Sequence, residues 1–165
     1  MPKGPAARMY DLVEHGAPAG LIPGPGSHNV VIGGFPAWRG VPTAAAAQLQ
    51  ALKASADAIV DDVVAKRHAA TGPALPTAIA TEQAMKVAIA NTMEANFVAM
   101  GGGADMHICW VPSPIPPHGA GMVLDGSKTV VINNLAACRE GDTVTEALGS
   151  PNKVIMGCKT VIIGG

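Results

Sequence analysis

The chain contains few aromatic and few charged residues, and both shortages limit the kinds of protein it can be. Phe, Trp and Tyr make up 3% of its 165 residues, and Asp, Glu, Lys and Arg make up 14%. The formal net charge of -1 offers no excess of cations for binding nucleic acid or an anionic membrane surface. The 20 Gly and 14 Pro residues instead favour short strands separated by many turns.

Long apolar runs are also missing. No stretch of 18 apolar residues occurs, so a transmembrane helix is not expected, and residues 1–5 lack the apolar segment of a secretory signal. We therefore expect a protein made in the cytoplasm, where its three cysteines, Cys109, Cys138 and Cys158, stay reduced. A disulfide framework is not expected, whereas a metal ligand among the three cysteines is possible.

A strand-like segment occurs three times. Each copy joins β-branched residues to a Gly-Gly or Asn-Asn pair, which is typical of a short strand that enters a tight turn. The copies are residues 26–34 (GSHNVVIGG), 126–134 (GSKTVVINN) and 157–165 (GCKTVIIGG). Internal repeats of this kind need one another to bury their apolar faces.

A second motif accompanies these segments at residues 5–8 (PAAR), 36–39 (PAWR) and 136–139 (AACR). Asp11 follows the first copy and Asp142 follows the third at the same spacing, but the second copy lacks such an aspartate. We expect Asp105 to resume this interrupted unit. Because the chain starts in the second half of a unit and stops in the first half, we also expect its two ends to meet.

The middle of the chain is rich in Ala and has helical periodicity. Apolar residues recur at helical spacing in two runs, which are Leu49, Leu52, Ala56, Ile59, Val60 and Val63, then Met85, Ile89, Met93, Phe97 and Met100. Polar residues such as Lys53 fall largely elsewhere on the first helix. Residues 71–73 and Pro76 should break the pattern, and the second helix should start near Thr77 or Thr81. We predict an antiparallel helical pair whose Met stripe packs in a core; a membrane-active helix is the less favoured alternative, because cations are few.

With PAAR at residues 5–8, DMHIC at 105–109, PHG at 117–119 and the three VVIGG-like runs, the chain resembles the PAAR-repeat family of spike tips from contractile injection machines. The resemblance implies a mainly β fold, in which three repeats form a small pseudo-threefold β-cone. Residues 1–42 and 104–165 would form this cone, and residues 43–103 an inserted α-helical hairpin that the resemblance does not cover.

The resemblance also implies a metal at the point of the cone, held by histidines and a cysteine. Three pairs have the same spacing of four positions, and these are Asp11 and His15, Asp105 and Cys109, and Asp142 and Glu146. Threefold packing would therefore bring the second members of these pairs around one axis. His107 should point the same way as Cys109 on an extended chain. His118 follows two prolines, and this rigid segment can fold back and bring His118 over His107 and Cys109.

We predict a zinc ion bound by His15, His107, Cys109 and His118, with iron as a less favoured alternative. A closed tetrahedral set leaves no position for water, so the metal would be structural rather than catalytic. Glu146 is either a rival fourth ligand or an acceptor for an imidazole N–H. The other residues of these types, His28, His68, Cys138 and Cys158, are expected to be solvated histidines and small buried cysteines.

The function implied is a non-enzymatic tip that caps a trimeric VgrG-like spike, of a type VI secretion or phage-tail-like machine, and pierces a target envelope. One tip chain would bind each spike trimer and carry or dock effector cargo, and the chain alone would be a monomer. Valines and isoleucines of the strand runs should face inward, and the insertion should project to one side, away from the point. The alternative is an enzyme, either a delivered toxin or a small metallohydrolase, but the insertion contains no Ser/His/Asp, His-Glu-x-x-His or Gly-rich phosphate motif.

Overall fold

Two long helices interrupt a chain of very short strands. The computed structural model describes residues 2–14, 19–108 and 118–165. Within these ranges the strands are β1 (Gly4–Ala6), β2 (Leu12–Val13), β3 (Ala19–Gly20), β4 (Pro23–Gly24), β5 (Val31–Ile32), β6 (Phe35–Pro36), β7 (Met106–Ile108), β8 (Ala120–Val123), β9 (Val131–Ile132), β10 (Leu135–Ala136), β11 (Thr143–Glu146), β12 (Asn152–Lys153) and β13 (Cys158–Ile163). The helices are α1 (Thr43–Ala69) and α2 (Leu75–Met100), with a 3-10 turn at Gly72–Ala74 between them. The chain therefore has mixed α and β structure, and the prediction of a mainly β fold fits only the residues outside the helices.

The strands form small antiparallel sheets. One sheet has five strands in the order β12-β11-β8-β7-β4, and the others within the described residues have two strands each. β1 pairs with β13, so that Gly4 lies opposite Ile163. This pairing confirms the expectation that the two ends of the chain meet.

The three motif copies are joined by a closed ring of backbone hydrogen bonds. Trp38 N donates to Ala7 O at 2.9 Å, Cys138 N donates to Trp38 O at 3.2 Å, and Ala7 N donates to Cys138 O at 2.9 Å. These residues hold the third position of their respective copies, and all three side chains are buried in one apolar cluster. The large Trp38 indole shares this small space with the smaller Ala7 and Cys138, which accounts for the unequal residues at equivalent positions.

Each copy also contains an arginine–aspartate pair whose aspartate is buried. The Asp105 carboxylate accepts hydrogen bonds from Arg39 N at 2.7 Å and from its guanidinium at 2.7 Å. The other two pairs, Arg8 with Asp11 and Arg139 with Asp142, make the same kinds of contact. The expectation that Asp105 resumes the second unit is therefore confirmed.

Each strand run buries its isoleucine before the Gly-Gly or Asn-Asn pair and exposes the apolar residue just before it. Ile32, Ile132 and Ile163 are between 6% and 8% exposed and lie in a common cluster. The residue before each of them is between 58% and 65% exposed, and these residues are Val31, Val131 and Ile162. The prediction that all valines and isoleucines of the runs face inward is thus wrong, because successive side chains of an extended strand point to opposite sides.

Helices α1 and α2 pack against each other and against one flank of the strands. Leu49 of α1 and Met93 and Phe97 of α2 are buried in a cluster that includes Met122 and Leu135. The expected Met stripe is therefore part of a core along Ile89, Met93 and Phe97. Among the described residues, neither helix has the length and hydropathy that a membrane span requires.

Helix α2 begins earlier than the sequence indicates. Its first residue is Leu75, so Pro76 lies within its first turn and Thr77 and Thr81 lie inside the helix. A proline fits there because the first backbone N–H groups of a helix have no intrahelical partner to lose.

The hairpin runs alongside the residues around His118. Lys53 Nζ donates to Gly149 O at 3.0 Å, and a Cβ on Gly149 would lie 3.2 Å from the His118 ring. From Lys53 to Ala69, α1 continues for about 24 Å at 1.5 Å per residue. The insertion was expected to project to one side, away from the point of the cone, but α1 contacts the residues around His118, which were predicted to form that point.

Candidate metal centre

Three neighbouring strands bring His107 and Glu146 together. His107 on β7 pairs with Gly121 on β8, and Gly121 pairs in turn with Glu146 on β11. Directly paired residues of antiparallel strands face the same side of a sheet. A Cβ on Gly121 would lie 2.9 Å from Glu146 Cγ. Only glycine at position 121 therefore leaves room for the Glu146 side chain.

The side chains of His107 and Glu146 are both deeply buried. His107 is 1% exposed and Glu146 is 0% exposed, and His107 Nε2 lies 3.8 Å from Glu146 Oε1. The β8–β11 pairing is continued by a bond from Ala147 N to Ala120 O at 2.9 Å. The position of the Glu146 carboxylate is thus set by the sheet rather than by a loose loop.

His118 reaches the same carboxylate from the segment before β8. Its Nδ1 lies 2.8 Å from Glu146 Oε2, and its side chain remains 30% exposed. Leu148 N donates to His118 O at 2.9 Å, and this hydrogen bond fixes the backbone of His118 beside the segment that follows β11. Gly149, with φ of +80°, lies against the imidazole, where both its backbone angle and its lack of a side chain are required.

The surroundings of Glu146 favour a nearby positive charge. Burial raises the pKa of Glu146 to about 7, and the nearby Asn152 side chain and the charge of Lys53 oppose that rise. Lys53 is itself buried on α1 and pairs with Asp57. The prediction that Lys53 lies off the packed face is thus wrong, and the helical hairpin contributes a cation to the electrostatics of this site.

Only part of the predicted ligand set lies together within the described residues. His107 and His118 meet at Glu146, whereas His15 and Cys109 lie outside the described residues. In the described parts of the chain, no three His, Cys, Asp or Glu side chains could hold a metal ion on their own. Imidazole nitrogens and carboxylate oxygens are donors that zinc accepts, so these three side chains fit part of a zinc site, and the metal itself stays a prediction.

The remaining histidines and cysteines have the exposure that was predicted. His28 and His68 are exposed, and Cys138 and Cys158 are buried. Burial raises the pKa of the Cys138 thiol well above its ordinary value, which keeps it protonated and unsuited to metal binding.

Sequence reasoning missed a role for Cys158 that the repeat alignment could have revealed. Cys158 holds the position of Ser27 and Ser127, whose Oγ atoms accept hydrogen bonds from Val30 N at 3.0 Å and Val130 N at 2.9 Å. Cys158 Sγ lies 3.2 Å from Thr160 Oγ1. It therefore belongs to the turn at the start of its strand and is more than a small buried residue.

No family model, curated protein or solved structure matches this chain.

Proposed function

We propose that this chain is the PAAR-type tip of a contractile injection machine, a pseudo-threefold cone that caps a trimeric β-helical spike. The observation that carries the proposal is the set of three equivalent exposed residues Val31, Val131 and Ile162. They belong to three copies of one unit, and those copies are linked by the ring through Ala7, Trp38 and Cys138.

A threefold set of apolar residues on a single chain suits a threefold partner. A trimeric spike ends in three identical surfaces, so one tip chain can offer one exposed residue to each of them. Apolar residues that recur around an internal symmetry axis are costly to leave in water. Their burial against the spike would give the complex its stability, and the short strands beside them could extend the spike's open strands.

The helical hairpin leaves this surface open. Its buried residues pack on the flank formed by Met122, Leu124 and Leu135, whereas Val31, Val131 and Ile162 stay exposed. The hairpin is thus compatible with docking of the spike and extends toward the opposite end, where cargo or a target surface would be met.

A zinc ion bound by His107 and His118, with His15 and Cys109 as the remaining predicted ligands, would order the small end of the cone. When bound, the metal supplies cross-linking energy where there is little interior to bury. His107 and His118 hold the donor nitrogens, and the sheet through Gly121 fixes their shared neighbour Glu146. The role is structural, so the machine would carry this chain as a passive tip and deliver it on firing.

The test is the composition of the complex with a trimeric spike protein. The chain and a VgrG-type spike are mixed, purified and analysed by native mass spectrometry, and the chain is also measured alone. We expect one tip chain per three spike chains, and a monomer for the free chain. Three tip chains per trimer, or no complex with any such spike, would refute the proposal.

A further inference from the structure

An exposed pair of aromatic side chains lies beside one corner of the proposed spike surface. We propose that Tyr10 and Phe35 form an aromatic anchor, which fills an apolar pocket on one chain of the trimeric spike. This inference deepens the proposed function and rests on it, because the anchor adds to the same partner a contact that the threefold set of Val31, Val131 and Ile162 does not supply.

The two rings meet at the surface rather than in the core. Tyr10 is 58% exposed and Phe35 is 42% exposed, whereas Trp38 and Phe97 are buried. The rings of Tyr10 and Phe35 touch edge to face, with centroids 5.7 Å apart and planes 72° apart. Two neighbouring aromatic rings in water leave a sizeable apolar area that a partner can bury.

Tyr10 stands where an aromatic residue is unfavourable. Its φ is +71°, in the left-handed region that glycine adopts most readily. The equivalent residue of the third copy is Gly141, with φ of +93°. The turn is closed in the same way in both copies, by a hydrogen bond from the aspartate N to the arginine O at 3.2 Å in the first and 3.1 Å in the third. The turn therefore accepts glycine, and a strained residue with an exposed side chain indicates a role in contact rather than in stability.

Phe35 also differs from its equivalents in the other copies. Gly4 holds this position in the first copy and Leu135 holds it in the third. Leu135 is buried in the cluster that the helices share with the strands. An exposed aromatic ring at this position thus occurs in one copy of the unit, and the anchor marks one corner of the threefold surface.

Arg8 holds the anchor in place and leaves it without net charge. Its guanidinium carbon lies 5.5 Å from the centroid of the Phe35 ring, where a cation is attracted to the ring face. Asp11 accepts from the same guanidinium at 2.8 Å, so the positive charge is already matched within the chain. A rigid patch of this kind loses little freedom on binding, and it suits an uncharged, apolar pocket.

The position of the anchor identifies the spike as its partner. In the hairpin of β5 and β6, Val31 lies opposite Pro36, and Ile32 lies opposite Phe35. Directly paired residues have Cα atoms about 4.5–5.5 Å apart, so the Cα atom of Phe35 lies within roughly 10 Å of that of Val31. A stable interface covers about 800 Å² on each partner. A spike chain that buries Val31 would therefore also reach Phe35 and Tyr10.

The first experiment compares the affinity of variants for a VgrG-type spike by titration calorimetry. Tyr10→Gly introduces the residue of the third copy, so it should melt close to the unmodified chain, because relief of the backbone strain opposes the loss of the ring contact. Tyr10→Gly and Phe35→Ala should each weaken spike binding about 10-fold, as expected for a central aromatic contact. The control is Val87→Ala, which changes a 47% exposed residue of α2 and should leave the affinity unchanged.

The second experiment observes the anchor without any substitution. Tyr10 is the single tyrosine of the chain, so growth on 3-fluorotyrosine places one fluorine probe at this site. In the free chain a soluble paramagnetic agent should broaden the ¹⁹F signal, because the ring is exposed. In the complex with the unlabelled spike, the signal should shift and should be protected from the agent.

Two results would overturn the anchor and leave the spike proposal in place. The first is equal spike affinity of Tyr10→Gly, Phe35→Ala and Val87→Ala. The second is a fluorine signal that the paramagnetic agent still broadens in the assembled complex, which would show that the aromatic pair serves another partner. A chain that bound no trimeric spike at all would instead refute the proposed function and the anchor together.

Discussion

Arg39 and Asp105 are 66 positions apart, yet Asp105 accepts hydrogen bonds from both the backbone N–H and the guanidinium of Arg39. Arg8 makes the same contacts with Asp11 only three positions away. The whole helical hairpin lies between Arg39 and Asp105. The local geometry of the unit is thus preserved across a large insertion, and this pair joins its two sides.

The first prediction concerns this ion pair. Asp105→Ala should destabilise the fold by about 3–5 kcal/mol, because it leaves the Arg39 guanidinium buried without its partner. Asp62→Ala is the control, since the Asp62–Lys66 pair is exposed and such pairs contribute about 0.3–0.5 kcal/mol. Urea unfolding measures both changes. Similar losses for the two variants would show that the buried pair does not hold the interrupted unit together.

The repeated unit could be predicted from the sequence because its contacts follow local spacing. An Arg followed by an Asp three positions later specifies the same bonds in the first and third copies. Because no aspartate holds that position after Arg39, Asp105 was predicted to resume the unit after the helices, and Asp105 does pair with Arg39. The strand runs and the helical Ala-rich segment are likewise local patterns, and the structure contains both.

Features that depend on how elements pack could not be predicted in the same way. The inward or outward direction of Val31 depends on the register of its strand, and the run of apolar residues carries no alternation to reveal it. The burial of Lys53 depends on the place where α1 meets Gly149. The contact of Glu146 with His118 requires the pairing of β8 with β11, which spacing along the chain does not encode.

The second prediction concerns the proposed spike surface. Val31→Asp should weaken binding to the trimeric spike at least 10-fold, because it would bury a charge against an apolar surface. Val98→Asp is the matched control, since Val98 on α2 is 64% exposed and Val31 is 65% exposed. Both variants should melt close to the unmodified chain. Equal binding by the two variants, measured by titration calorimetry, would place the spike elsewhere.

The third prediction concerns metal content. The purified chain should contain about one equivalent of zinc, since the predicted ligands form one closed set. His118→Ala should lower that content, whereas His28→Ala, which changes an exposed histidine, should not. Elemental analysis after expression in zinc-supplemented medium measures this. Less than about a tenth of an equivalent in the unmodified chain would contradict a resident metal.

The fourth prediction separates the cysteines. Cys109→Ser should lower the melting temperature more than Cys138→Ser, because losing a ligand also removes metal-binding energy. Cys138 is fully buried beside Trp38 and Val123, so its replacement alters only packing. A chelator should therefore still lower the melting temperature of Cys138→Ser and should have little further effect on Cys109→Ser. Equal shifts and equal chelator responses would mean that Cys109 is not a ligand.

The fifth prediction concerns the two halves of the helical hairpin. The half near the strands contains Leu49, Met93 and Phe97, which are buried against Met122 and its neighbours. The distal half includes Ile79, which is 39% exposed. Stability should therefore depend on the near half, while the distal half should serve contacts outside the chain.

Two deletions test this division. Replacing residues 58–85 by a short Gly-rich turn keeps Leu49, Met93 and Phe97, so the melting temperature should fall by only a few degrees. Replacing residues 43–103 by a linker removes all three and exposes Met122 and Leu135, which should cost several kcal/mol at about 1.5–3 kcal/mol per large apolar side chain. The ends of the hairpin permit this linker, because a Cβ on Gly102 would lie 3.0 Å from Pro42. If both deletions destabilised the chain equally, the distal half would be part of the fold rather than a projecting surface.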